Sequence, residues 1–284
     1  MTPLPSAETR PHDLALGAVT LRSADPARLV PFYRDAVGLD VLSDGEAPVL
    51  GAGGRPLVVL ERHAGAGLAP RRAPGLFHMA IRVPDRESLA TRLLAIHRLG
   101  LRLGASDHLV SEALYLDDPD GNGVEIYRDR PESEWPRSGD GTIAMATLPL
   151  DLAALAREAP AAPVPAPAAT DMGHVHLKVS DLEAARRFWV DTVGLTIMAR
   201  YPGALFLSAD GYHHHIGLNT WQSSGAPVPA DGTAGLDQFV VRLPADAIAA
   251  LAARLAAAGI ATRSEAGALL VRDPSGNTAR FEPA

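Results

Sequence analysis

The sequence contains no cysteine, which excludes disulfides and thiolate metal sites; any metal it holds must take nitrogen and oxygen donors. It also lacks an apolar run near the ~18 residues needed to span a bilayer. The alanine-rich stretch from Ile248 to Ala258 is interrupted by Arg254 and reads as a helix in water. Aromatic residues make up only 5 %, so Phe77, Phe206, Trp221 and Phe239 are candidates for either pocket or core. An excess of positive charge is missing too. Lys and Arg number 26 against 33 Asp and Glu, a net charge of −7, and the arginines are scattered. Phosphate binding needs clustered cations, so no nucleic acid partner is expected. The opening residues MTPLPSAETRPHDLALG lack the apolar segment of a secretory signal. The expectation is a cytoplasmic protein without a membrane partner. At 284 residues and 47 % apolar content, the chain has room for two cores.

What is present is a repeat. Residues 17–39, GAVTLRSADPARLVPFYRDAVGL, lie on 173–195, GHVHLKVSDLEAARRFWVDTVGL, without a gap. Each reads as an alternating strand, an Asp at a helix start (Asp25, Asp181), an amphipathic helix, and a Gly to end it (Gly38, Gly194). Residues 76–100 match 236–259 in the same sense: strand, Pro, then a helix closed by Gly. Each of these is followed by a hairpin on an Asp-Pro-x-Gly-Asn turn, at 116–127 and 271–282. The chain is therefore four modules of one strand, one helix and about three strands, over 14–62, 75–128, 172–221 and 235–282. The domains expected are 14–130 for the first pair and 171–284 for the second. A connector over 131–170 joins them, and its Ala/Pro stretch EAPAAPVPAPAAT (158–170) reads as a stiff, extended linker.

Four βαβββ modules with these motifs resemble the vicinal oxygen chelate superfamily, which includes glyoxalases, bleomycin-resistance proteins and extradiol dioxygenases. The strings HLVSEALYLDDPDGNGVEIYRDRP, GHVHLKVSD and GYHHHIGLNTW resemble its bacterial catechol 2,3-dioxygenase branch in particular. The likeness covers about 260 residues. It implies an α+β fold in which modules pair into two barrels of curved mixed sheet with outer helices. It also implies metal ligands on the first and last strands of a module. The first-strand position holds His78 in module two and His174 in module three, but Ala18 and Gln238 in modules one and four. The last-strand position holds Glu125 in module two, Arg280 in module four and an apolar residue near Val59 in module one. His174 and His176 share a strand face, so either could be the ligand; the alignment favours His174.

Two imidazoles and a carboxylate leave adjacent positions open on a metal, which is what joint activation of a diol and O2 requires. The resemblance thus implies a ring-cleaving dioxygenase using Fe(II), or alternatively Mn(II), with an aromatic diol and O2 as its partners and a muconic semialdehyde as product. His108 and Tyr115 would hydrogen-bond the substrate. His215, within HHHIGL (213–218), would be the acid–base group. On a strand, either His214 or the pair His213 and His215 can face the site. A glyoxalase-like isomerase or lyase and a metal-free binding protein are the competing readings.

The ligand distribution carries an architectural consequence. Pairing in chain order leaves both sites incomplete, whereas joining modules two and three closes the triad. About 43 residues lie between Tyr127 and Asp171; at ~3.3 Å per extended residue, length permits that union within one chain. A homo-oligomer could achieve it between two chains.

Overall fold

A computed structural model describes residues 14–139, 142–160 and 164–284. Module one contributes β1 (Ala15–Ser23), β2 (Asp40–Ser43), β3 (Val49–Ala52) and β4 (Arg55–Arg62). Module two contributes β5 (Gly75–Arg82), the helix Arg86–Arg98, then β6 (Gly104–Asp107), β7 (Ser111–Asp117) and β8 (Gly123–Asp129). The third provides β9 (Asp171–Lys178), β10 (Thr196–Tyr201), β11 (Ala204–Ser208) and β12 (Ile216–Asn219). The fourth provides β13 (Gly235–Leu243), the helix Ala245–Ala257, and β14 (Thr262–Glu265), β15 (Ala268–Arg272) and β16 (Thr278–Pro283). In each module the first strand pairs parallel with the last, and the remaining pairs are antiparallel.

Local chemistry explains most of the helix boundaries. Asp85 accepts from the Ser88 amide and Asp181 from the amides of Glu183 and Ala184, so both cap their helices. Asp25 occupies the matching place in module one, but its side chain caps nothing there. Pro26 already removes one of the donors a cap would satisfy, and the turn that follows is short. Gly38 and Gly194 close the module helices at φ 88° and 99°, a backbone region that other residues enter only with strain.

The modules form two mixed sheets of eight strands, ordered β10-β11-β12-β9-β5-β8-β7-β6 and β14-β15-β16-β13-β1-β4-β3-β2. Modules two and three therefore share one sheet and modules one and four the other, joined by antiparallel pairing of their first strands. Grouping by chain order, 14–130 and 171–284, does not coincide with grouping by sheet. Along β5 and β9, Met79, Ile81, Val175 and Leu177 pack into the apolar core, while His78, Ala80, His174 and His176 alternate with them toward the opposite face.

The connector is docked on the protein. It bridges the β6 edge through Asp107 and Leu148, forms the short helix Leu152–Ala156, and returns across module one. There the Ala166 amide donates to the Gly38 carbonyl, and Arg55 donates to the carbonyls of Ala168 and Thr170. Buried Arg92 donates to the Val164 carbonyl. Residues 161–163 of the expected stiff stretch lie outside the described residues.

The two sheets are also tied together at the Asp-Pro-x-Gly-Asn turn between β7 and β8. The Asp118 carboxylate accepts from the amides of Asp120 and Asn122 and from Asn122 Nδ2. Tyr33 of module one, fully buried, donates its hydroxyl to Asp118 Oδ2 at 2.9 Å. Tyr33→Phe leaves a buried carboxylate oxygen one donor short, a loss of about 1–3 kcal/mol. A lower urea midpoint with an unchanged m-value is the expected result in equilibrium unfolding.

Candidate metal centre

Strands β9, β5 and β8 are neighbours at the middle of their sheet, and each carries one donor to the same point. Glu125 Oε2 lies 3.0 Å from His78 Nε2 and 3.1 Å from His174 Nε2. All three residues are buried, and their ligand atoms lie within 4.8 Å of one another. Two donors at right angles on an ion ~2.1 Å from each stand about 3 Å apart, which matches both separations. His78 Nε2 makes no hydrogen bond despite its closeness to the carboxylate, and His174 Nδ1 is also without a partner. A buried nitrogen aimed at an oxygen but not bonded to it suits a shared cation better than it suits a protein hydrogen bond. The donors present therefore fit a metal.

The electrostatics point the same way. Burial alone would raise the Glu125 carboxyl, but the neighbouring imidazoles, His174 foremost, hold it well below the usual carboxylate range. Burial pushes His174 down to about 4 against the pull of Glu125. At neutral pH the site is thus a carboxylate facing neutral imidazole, the protonation states that ligation requires.

His176 is separated from this role by its partner. Its ring packs edge-on to His78, but its Nε2 accepts from Asn219 Nδ2 at 3.0 Å, and burial holds it neutral. The same ring explains why the site has three donors. Glu125 pairs with Ala80, two residues beyond His78; the matching partner of His176, two beyond His174, is Gly217. A Cβ on Gly217 would come within 2.7 Å of the His176 ring, so no carboxylate can stand where a fourth ligand would.

A cavity of about 310 Å³ opens above the triad. His108 and Tyr115 line it as one unit: His108 Nδ1 donates to the Ala146 carbonyl, which leaves Nε2 to accept from the Tyr115 hydroxyl, each at 2.7 Å. Burial, then the charge of Glu125, raises the Tyr115 hydroxyl well above its ordinary value, so it stays protonated. Phe77, Phe206 and Trp221 line the cavity, whereas Phe239 belongs to the core beneath the other sheet, against Trp189.

The three consecutive histidines depart from expectation. His215 does not line the cavity; its Nδ1 faces Ser208 Oγ at 3.1 Å and its ring lies against Tyr212. His214 lines the cavity in its place, with its ring 4.1 Å from that of His174. The cause is a bend at His215: β12 starts only at Ile216, so strand alternation cannot be carried back through the run. Sequence reasoning also missed Asp129. Its Oδ1 accepts from His213 Nε2 at 2.9 Å, and His213 Nδ1 is 2.8 Å from His214 Nδ1. In the tautomer where His213 donates from Nε2 to Asp129 and accepts at Nδ1 from His214, the His214 Nε2 is left unprotonated. An acidic residue at the end of the last strand of module two, in YRDRP, was the available signal.

Residues 18–127 match the Glyoxalase-like domain family, and residues 171–281 match the Glyoxalase/Bleomycin resistance protein/Dioxygenase superfamily. A protein of Bacillus subtilis (strain 168) named Catechol-2,3-dioxygenase is 41 % identical over 263 residues, 90 % of this chain and 92 % of that one. The chain belongs to this glyoxalase/dioxygenase superfamily. Solved structures share the fold at low identity. A Bacillus subtilis structure covers 95 % of this chain and 84 % of its own at 14 % identity and TM-score 0.64. Glyoxalase I from Zea mays covers 95 % and 92 % at 16 % identity and TM-score 0.57. The three candidate donors all lie in one of the two sheets. No helix among the described residues is long and apolar enough to cross a membrane.

Two outcomes test the centre. Metal content by plasma mass spectrometry should fall at least tenfold in His78→Ala and in Glu125→Ala relative to the unaltered chain, measured at limiting metal. The metal-free protein should lose stability as pH falls from about 6.5 toward 4. In that window unfolded His174 binds a proton that the folded form, at about 4, refuses, so unfolding takes up protons and acid favours it. A drop of at least a few degrees in melting temperature, reduced in His174→Gln, is expected.

Proposed function

We propose that the protein is an extradiol ring-cleaving dioxygenase that opens catechol or a substituted catechol with O2 to give a muconic semialdehyde, using Fe(II), alternatively Mn(II), held by His78, Glu125 and His174. The observation that carries this reading is a donor set of two imidazoles and one carboxylate at the floor of a cavity, with the fourth position closed by Gly217 under His176. A glyoxalase-type centre with a second carboxylate has no residue to supply it among the described residues that line the cavity. The bound ion would acidify a diol hydroxyl and bring O2 beside the ring.

The chain's own groups do the rest. His214 is the general base: burial keeps it neutral, and the Asp129–His213 relay leaves Nε2 as its proton-accepting atom. It takes the proton of the second hydroxyl and can return it to the departing oxygen in the bond-breaking step. His108 and Tyr115 orient the diol, because the Tyr115 oxygen keeps lone pairs to accept from a substrate hydroxyl. The acid–base role falls to His214 in place of His215, whose ring is turned away. The name and 41 % identity of the Bacillus relative support the same chemistry.

Anaerobic loading with Fe(II), then catechol and air, should produce a yellow ring-fission product. His214→Gln should retain metal and lose roughly 10²–10⁴-fold in turnover, the usual worth of a positioned base. His215→Gln should stay within several-fold. No colour with catechol or substituted catechols at full metal occupancy would overturn the activity.

A further inference from the structure

The cavity changes character from floor to mouth. Its floor is polar: the triad, His176 and His214 are all buried. Above them the wall is aromatic. Phe77 packs edge-on to His176 and to Trp221, with ring centres 5.1 and 5.5 Å apart, and Phe206 packs on His176 and Tyr201. Met145 of the connector also lines the cavity. Trp221 is 49 % exposed, yet its ring is fixed, because Nε1 donates to the Pro202 carbonyl at 2.8 Å. A large apolar ring held rigid at an opening is a preformed contact surface.

Charge is the second observation. Among the described residues that line the cavity there is no Arg or Lys, and Glu125 is the one carboxylate. A substrate carboxylate would be drawn from water with no cationic side chain along the wall to meet it, an unfavourable transfer. Size is the third. A cavity of roughly 150 Å³ accepts benzene, so a space of about 310 Å³ leaves room beyond one ring.

We propose that the cavity selects diols bearing an uncharged apolar substituent, alkyl or aryl, whose far end rests against Trp221, Phe77 and Phe206. The inference rests on reading the cavity as a diol site, and it adds the substrate class. Two measurements separate its failure from failure of that reading. Anaerobic calorimetric titration of the metal-loaded protein compares 3-methylcatechol and 2,3-dihydroxybiphenyl with 3,4-dihydroxybenzoate and 3,4-dihydroxyphenylacetate. Steady-state kcat/KM for ring opening is measured on the same set. The apolar diols should bind at least tenfold tighter and give at least tenfold higher kcat/KM. Trp221→Ala should lower the ratio of dihydroxybiphenyl to catechol kcat/KM at least fivefold, whereas Trp221→Phe should restore most of it. Ring opening with carboxylated diols equal or preferred would overturn this inference and leave the dioxygenase reading intact. Tight binding of apolar diols without ring opening would support the inference and overturn the activity.

Discussion

The antiparallel pairing of β5 with β9 is the constraint on which the site depends. It sets His78 opposite His176 and Ala80 opposite His174, so that two modules separated by the connector present imidazoles to one point. Side chains alternate along a strand, and a slip of one residue would turn every histidine into the apolar core and every core residue into the cavity. The register is held on its other face by Met79, Ile81, Val175 and Leu177, all fully buried. Packing and chemistry therefore specify the same register from opposite sides of one sheet. The parallel neighbour β8 then needs only its own pairing to bring Glu125 beside both imidazoles.

Among the described residues the other sheet has no such donor cluster. Where Glu125 stands in module two, module four has Arg280, whose guanidinium is bonded to Glu282 at 2.6 Å and paired with Glu265. A cation there satisfies the local carboxylates and removes any reason for a metal. What this sheet provides is support. Tyr33 and Ser23 of module one bond to Asp118 and Asp120, in the turn that leads into the strand of Glu125. In the same way Ser275 of module four accepts from the Ser180 amide, at the end of the strand that carries His174. Two of the three strands that carry the candidate donors, β8 and β9, are thus anchored by side chains from the other sheet.

How much of this the residues disclose depends on how local the determining interaction is. The four modules and the positions of His78, Glu125 and His174 were legible because strand periodicity and the Asp-Pro-x-Gly-Asn turn act over a few residues, and repetition allowed one module to be read from another. The helix ends at Gly38 and Gly194 were legible for the same reason. His214 was not, because the bend at His215 breaks the periodicity that assigned His215 inward. Nor was the Asp129–His213 relay, which spans modules two and three and leaves no spacing rule in either. The choice between His174 and His176 hinged on Asn219, 43 residues along from His176 and visible only once β12 lies beside β9. The docking of the connector was not legible either: composition points to a stiff, extended linker, whereas the groups that hold its carbonyls, Arg55 and Arg92, are remote in sequence.

A physical tension within the site explains why it should hold a cation at all. Four buried imidazoles, those of His78, His174, His176 and His214, cluster beside one buried carboxylate. Water is excluded there, so protonating the rings to balance Glu125 is unfavourable, and burial drives His174, His176 and His214 toward their neutral forms. The Glu125 carboxylate is held in its charged form, and one of the two nitrogens aimed at it makes no bond. Removing a charge from water without a compensating charge is among the most unfavourable arrangements a fold can contain. A divalent ion at the meeting point of His78 Nε2, His174 Nε2 and Glu125 Oε2 resolves the charge, the orphaned nitrogen and the requirement for neutral imidazole together. The relay at Asp129 lies outside that balance, since Arg82 and Tyr212 also reach its carboxylate. His214 therefore faces the Asp129–His213 pair while His174, in contact with it, faces Glu125.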